Sequence, residues 1–217
     1  MKLDFHVHSN TSPDGLHSVR QLAEQAKRIG LDGIAISDHN SFPHEQFKLS
    51  GLLIMRGIEV SAAEGHLSVF GVPPNFDFVK GMPAAEVVAR ARKAGGISIV
   101  NHAFSVRKRK DSMGEAGLKL GATAIERFNG SDFIHNFMAL HKIPVGTGGS
   151  DAHSFYELAN AYTILGCRPS EDDVLEEVRK GRMKAVLAQN PFSILKRKYE
   201  RFMAKRTMRR THKVGCD

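Results

Sequence analysis

The sequence has little cysteine. Its 217 residues contain two, Cys167 and Cys216. That is too few for a disulfide framework, and they lack the CxxC spacing of a thiolate zinc site, which fits a reducing compartment. No apolar run reaches the roughly 18 residues that a membrane-spanning helix needs. The opening MKLDFHVHSN lacks the apolar stretch of a secretion signal. A cytoplasmic protein with no membrane partner is therefore expected. No GxGxxG or GxxxxGKS/T pattern follows an apolar run, which removes the glycine-loop nucleotide folds. Acidic residues are in deficit: 23 Asp and Glu against 31 Lys and Arg leave a net charge of +8.

The composition is otherwise that of a globular chain, 41% hydrophobic and 25% charged, and excludes wholesale disorder. The length suits one α/β domain. The positive excess is uneven. From Lys196 to Asp217, nine basic residues stand against two acidic ones, and Arg107-Lys108-Arg109-Lys110 forms a second cluster. A basic tail and a basic loop suit a polyanionic substrate or partner, nucleic acid included. Aromatics are too sparse in the tail for a base-stacking platform.

Short apolar runs alternate with helical periods. Strands are expected at Leu3–Val7, Gly33–Ser37, Leu52–Val60 (broken by Gly57), His66–Val72, Ile97–Val100, Thr123–Phe128, Pro144–Thr147, Tyr162–Leu165 and Lys184–Ala188. Val19, Leu22, Ala23, Ala26 and Ile29 share a helical face that Gly30 ends. Helices are also expected over Ala84–Lys93 and Phe133–Leu140, and after the cap at Ser170. Pro191 opens a last helix, with Phe192, Leu195, Tyr199 and Phe202 on one face. About seven strand–helix units imply a parallel sheet with crossover helices, closed or nearly closed into a barrel. Residues 1–190 are expected to form this unit and residues 191–217 a basic C-terminal helix and tail.

Histidine is abundant, with eleven residues, and most sit at strand ends. His6 and His8 close the first run. Asp38-His39 closes the second, and Glu59 ends the third. His66 opens the next, Asn101-His102 closes the fifth, and Asp151-Ala152-His153 follows a glycine-rich run. Residues i and i+2 of a strand point the same way, so both imidazoles of an HxH pair can meet one ion. In a parallel barrel the C-terminal strand ends converge on one rim, where active sites are built. His17, His44, His135, His141 and His212 follow no such rule and are expected at surface or helix positions.

The segments DFHVHS, SPDG, SDHN, GIEVS, NHAF and GSDAHS resemble the polymerase and histidinol phosphatase (PHP) family, in the family's order, from Leu3 to about Gln189. The resemblance implies a distorted seven-stranded (β/α) barrel, two to three divalent metal ions and phosphoester hydrolysis. It assigns His6, His8, Glu59 and Asp151 to a first metal and Asp14, His39 and His153 to a second. Glu59, His66 and His102 are assigned to a third, with Glu59 bridging. A ligand set of nitrogen and oxygen without sulfur suits Zn, Mn or Fe better than Ca. Asp151 and His153 are the candidate catalytic residues, Asp151 as a ligand first, because a strong ligand is a poor free acid. Arg107 and Arg127 are candidates for binding a phosphate of the substrate. The expected activity is phosphomonoester hydrolysis on nucleotides or oligonucleotide ends. The alternatives are a histidinol phosphatase and, in another class, a nucleic-acid-binding or RNase-subunit protein using the basic tail.

Overall fold

A computed structural model describes residues 1–106, 109–188 and Tyr199. The helix expected from Pro191 and the basic tail therefore lie outside the described residues, Tyr199 excepted, as does Arg107. The first half of the chain runs β1 (Lys2–Val7), α1 (Val19–Arg28), β2 (Gly33–His39), β3 (Leu53–Ser61), β4 (His66–Phe70), α2 (Ala84–Lys93) and β5 (Ile97–Val100). The second half runs α3 (Glu115–Lys119), β6 (Ala124–Asn129), α4 (Phe133–Lys142), β7 (Thr147–Gly149), β8 (Ala161–Leu165), α5 (Glu171–Arg179) and β9 (Met183–Leu187).

The expected helices form where their caps are. Ser18 and Gln21 make a reciprocal capping box at α1, while Asp132 caps α4 and Ser170 caps α5 through side-chain oxygens. Gly57 does not break its strand. A Cβ there would lie 2.3 Å from Phe70 Cδ1, so the glycine makes room for that ring inside β3.

The strands lie in the order β7-β6-β5-β4-β3-β2-β1-β8-β9. A uniform repeat of about seven parallel strand–helix units is corrected at two places in this nine-stranded sheet, at β4 and at β8 and β9. β4 runs antiparallel to both β3 and β5, because residues 62–65 form a tight turn closed by Ala62 N–H donating to Gly65 O at 3.0 Å. A parallel crossover needs a dozen or more residues. Reversal puts the start of β4, not its end, on the rim where the other strands finish. His66 therefore reaches that rim as the first residue of its strand.

The ring closes between β1 and the chain following β7. His8 N–H donates to Ala152 O at 2.8 Å and Ala152 N–H to His6 O at 3.2 Å, a parallel bridge. Lower down, β8 pairs antiparallel with Lys2 and Leu3 of β1 and carries β9 on its outer edge. The buried Asp4 carboxylate fastens the seam, accepting from Ser150 N–H at 2.8 Å and Ala159 N–H at 3.0 Å. Burial raises its pKa to about 6 against the pull of these hydrogen bonds.

Side chains inside the ring are layered. Leu3, Phe5, Ala35, Met55, Phe70, Ile97, Ile99 and Ala124 form an apolar lower layer, floored by Val174, Leu175 and Val178 of α5. Continuing each strand upward in steps of two leads to Ser37 and His39, to Glu59, to Ser68 and His66, to Asn101 and to Glu126. On β1 simple alternation fails, since Leu3 and Phe5 are inward and so are His6 and His8. Asp4 and Val7 pair with Ile34 and Ile36, leaving one extra residue on β1. That bulge turns the HxH pair inward, and re-aiming a side chain is a known use of a bulge.

Closure leaves no room at β7. A Cβ on Gly149 would lie 2.4 Å from His6 Cβ and 2.9 Å from His6 N, whereas one on Gly166 meets nothing within 4 Å. Gly149→Ala should cost about 1–3 kcal/mol, while Gly166→Ala should be neutral or slightly stabilising. Thermal denaturation of the chelator-treated proteins gives both signs.

Candidate metal centre

The upper layer gathers candidate ligand atoms from four strands, β1 to β4, and from the segments that follow β1, β5 and β7. His6 Nε2 lies 3.3 Å from Glu59 Oε1 and 3.7 Å from Asp151 Oδ1; His8 Nε2 lies 3.6 Å from Glu59 Oε2 and 3.5 Å from Asp151 Oδ1. His153 Nε2 is 3.0 Å from Asp14 Oδ2, and His39 Nε2 is 3.8 Å from Asp14 Oδ1. His66 Nδ1 and His102 Nε2 stand 3.2 and 3.4 Å from Glu59 Oε1. Three overlapping groups each bring their ligand atoms within 4.8 Å of one another: His6, His8 and Asp151; His8, His39 and His153; and His39, Glu59 and His66. All nine residues expected to hold metal thus meet in one place, with Glu59 at the junction.

Around these atoms lies a second set that aims them. His6 Nδ1–H donates to Glu126 Oε1 at 2.9 Å. His8 Nδ1 points at Ser12 Oγ at 3.3 Å, and that hydroxyl donates to Asp38 Oδ1 at 2.8 Å. Asp38 also accepts from Ser9 N–H at 2.7 Å, so it pins the loop that leads to Asp14. His153 Nδ1–H donates to Asp151 O at 2.9 Å. Asp151 has Oδ2 beside Ser131 Oγ at 2.8 Å, leaving Oδ1 to face the histidines. Asn101 donates to Glu59 Oε1 at 2.7 Å and Ser68 Oγ at 2.8 Å. Asp111, from the basic loop, places Oδ1 3.4 Å from His66 Nε2. Sequence reasoning missed Glu126, Ser12, Asn101, Ser131 and Asp111 as parts of the site. Glu126 and Asn101 carried a readable signal, the two-residue step from the inward Ala124 and Ile99.

Glu59, Glu126 and Asp151 are 0%, 2% and 1% exposed, so their charges have almost no help from water. Burial would raise the Glu59 pKa, but His6, His66, His102 and His39 hold it well below the usual carboxylate range. Burial opposes the charge on His6, yet Glu126, Glu59 and Asp151 overcome that and raise its pKa. His8 goes the other way: burial and the neighbouring His153 lower it. Asp14 is likewise pushed up by burial and pulled below its ordinary value by His153, His8 and His39. His102 and Asp151 adopt positive φ, 29° and 54°, backbone strain of the kind that collects at functional sites.

Not every candidate joins the cluster. Arg127 follows Glu126 on β6 and points the opposite way, its guanidinium donating to Pro144 O and lying over the Phe128 ring at 5.3 Å. Arg107 lies outside the described residues. Of the other histidines, His17 rests against the Phe155 ring and His141 is exposed on α4. His135 is on a helix as expected but is 0% exposed, Nε2–H donating to Glu126 O at 3.1 Å and Nδ1 accepting from Phe104 N–H at 3.2 Å. α4 is inverted: it buries His135 and Asn136 and exposes Phe133, Ile134, Phe137 and Leu140.

The residues fit divalent cations. With Nδ1–H given to Glu126, His6 has a buried Nε2 that makes no hydrogen bond, and the Nε2 atoms of His8 and His102 and Nδ1 of His66 are likewise without one. Lone pairs set against carboxylate oxygens repel unless a proton or a cation stands between them. An imidazole fixed by its other nitrogen is the usual arrangement of a metal-binding histidine.

The sequence pattern of the PHP domain matches residues 4–142, and that of a PHP-associated segment matches residues 137–183. An uncharacterized protein of Methanocaldococcus jannaschii is 29% identical over 160 residues, 66% of this chain and 91% of its own length. Among solved structures, PsfC from Pseudomonas syringae superposes with a TM-score of 0.70 at 18% identity, covering 94% of this chain and 98% of its own. Endonuclease Q, solved with a 27-mer duplex carrying an abasic lesion at the active site, gives a TM-score of 0.57 at 18% identity. There 82% of this chain covers 56% of the larger protein. At these identities the structural likenesses establish the fold.

Cations that bind only the folded chain stabilise it by mass action, about 2.7 kcal/mol at a hundredfold excess over Kd. For a chain of this size that is roughly 5–10 °C in Tm. Adding Mn²⁺ or Zn²⁺ to chelator-treated protein should give such a rise in differential scanning calorimetry, and His8→Ala should remove most of it.

Proposed function

The chain belongs to the PHP domain family, and from that premise we propose that it is a metal-dependent phosphoesterase that hydrolyses phosphomonoesters of nucleotides or oligonucleotide ends. The observation carrying this reading is the convergence of nine candidate ligand residues, seven of them in three overlapping groups and Asp14 and His102 in contact with these, with the imidazoles of His6, His8, His66 and His102 lying within 3.6 Å of the Glu59 carboxylate. Two or three divalent ions (Zn, Mn or Fe) supply, when bound, a nucleophile derived from water at neutral pH and neutralisation of phosphate charge. His6, His8, Glu59 and Asp151 would hold one ion, Asp14, His39 and His153 another, and Glu59, His66 and His102 a third.

The chain's own residues do the rest by position. The apolar layer beneath the ligands keeps water from reaching the site from below. Asp151 turns Oδ1 to the cluster while Oδ2 is engaged by Ser131, which supports a holding role before any acid role. His153 is oriented by its bond to Asp151 O and lies against Asp14 at the half-exposed side of the site. That is the side from which a phosphate and its leaving group would approach, and His153 is our candidate for handling a proton there. The net charge of +8 favours encounter with an anionic substrate, and the Arg107–Lys110 cluster begins five positions after His102 in the chain. A nucleotide end suits that charge better than a small neutral-bodied phosphate does.

Phosphate release decides among substrates. The panel is 3′,5′-bisphosphonucleotides, nucleoside monophosphates, histidinol phosphate and a short 5′-phosphorylated RNA, with Mn²⁺ or Zn²⁺ supplied. A nucleotide or the RNA is expected to be preferred, with kcat/KM falling as ionic strength rises. His6→Ala or Asp151→Ala should lower kcat/KM by about 10³-fold or more. Preference for histidinol phosphate would move the protein to that branch. Stoichiometric metal without turnover on any member would retire the substrate assignment.

A further inference from the structure

Glu126 lies outside the nine ligands, yet it touches the ligand cluster through two other residues. It stands on β6 at the inward position above Ala124 and is buried. Both of its oxygens are engaged. Oε1 accepts from His6 Nδ1–H at 2.9 Å. Oε2 accepts from the backbone N–H of His102 at 2.8 Å and from Asn129 Nδ2 at 2.9 Å. It therefore has no oxygen turned toward the ligand atoms, unlike Glu59 and Asp151. Its main chain is held in turn, because its carbonyl accepts from His135 Nε2–H beneath α4 at 3.1 Å.

We propose that Glu126 is a positioning residue of the metal centre: it fixes His6 in the tautomer that presents Nε2 to the cluster and holds His102 in the strained backbone turn that delivers its ring. This rests on the metal-centre reading above and assigns a role to a residue outside the ligand set. An imidazole carries its neutral-state proton on one nitrogen only. A carboxylate at 2.9 Å accepts but cannot donate, so the Nδ1 proton stays where it is and the lone pair stays on Nε2. The same carboxylate restrains His102 at φ 29° through the peptide N–H. One side chain on β6 thus orders two ligands, His6 from β1 and His102 from the end of β5, which approach the ring's centre from different elements. A carboxylate behind a metal-binding histidine typically changes metal affinity 10–100-fold.

The discriminating substitution is Glu126→Gln, which keeps shape and can keep an oxygen for His102 N–H and Asn129. Its amide NH₂ then faces His6 Nδ1, a donor against a donor, and favours the tautomer with the proton on Nε2, which cannot bind a cation. Zinc affinity is read by chelator competition on the full-length protein, equivalent by equivalent. The variant should bind one or two equivalents about 10–100-fold more weakly, while the equivalent held by Asp14, His39 and His153 stays within about threefold of the parent. Unchanged affinity at every equivalent would overturn the proposal. So would a parallel loss at all of them, the mark of general loosening. The parent protein gives a second reading that does not depend on the variant folding. Imidazole ¹⁵N spectra of its zinc-loaded form should show His6 protonated at Nδ1; protonation at Nε2 would overturn the assignment. A parent that binds no zinc at all would instead sink the metal-centre reading itself.

Discussion

Three carboxylates, Glu59, Glu126 and Asp151, are buried together above an apolar layer, and the architecture around them answers that concentration of negative charge. Water cannot screen it, so the chain surrounds it with imidazoles, hydroxyls and peptide N–H groups. The imidazoles do not share that burden equally: Glu126, Glu59 and Asp151 raise the His6 pKa against burial, whereas burial and His153 lower that of His8. The imidazole nitrogens and carboxylate oxygens so gathered are the ones spaced to hold cations. The residues that look structural, such as Ser12, Asp38 and Ser131, hold those atoms in register.

The ring is shaped to bring these groups to one height. A one-residue bulge turns His6 and His8 inward on β1. Reversal of β4 offers His66 from the beginning of a strand. Gly149 in β7 lets β1 approach so closely that Ala152 can bridge it, placing Asp151 and His153 beside the HxH pair. Each device departs from an ideal alternating barrel, and each departure serves a ligand.

Much of the site was legible because metal chemistry restricts residue type so strongly. His, Asp and Glu at the ends of apolar runs stand out from a background in which such groups avoid burial. The spacing of His6 and His8 was read as a simple strand pair, which is right in outcome, although the bulge makes it so. Glu126 escaped because a lone glutamate in a strand gives no motif, and only its alternation with Ala124 marks it. Arg127 was attractive by charge, yet the same alternation sends it outward. His135 could not be placed because α4 buries its polar side, and hydropathy points the other way. The reversed strand and the hairpin of β8 and β9 were hidden, since a short apolar run carries no sign of its direction.

Ring closure also has a consequence for the order of folding. Asp4 and Ser150, joined across the seam, are separated by 146 positions in the chain, and the ligands beside them come from the same two stretches. Contacts between such distant segments form late, because the loop entropy must be met before they contribute. A chain still emerging from the ribosome holds His6, His8 and Asp14 from the start, but Asp151 and His153 only after most of it has been made. Assembly of the complete ligand set is therefore a report that the barrel has closed, and tight cation capture becomes a property of the finished fold, unavailable to the partly folded chain.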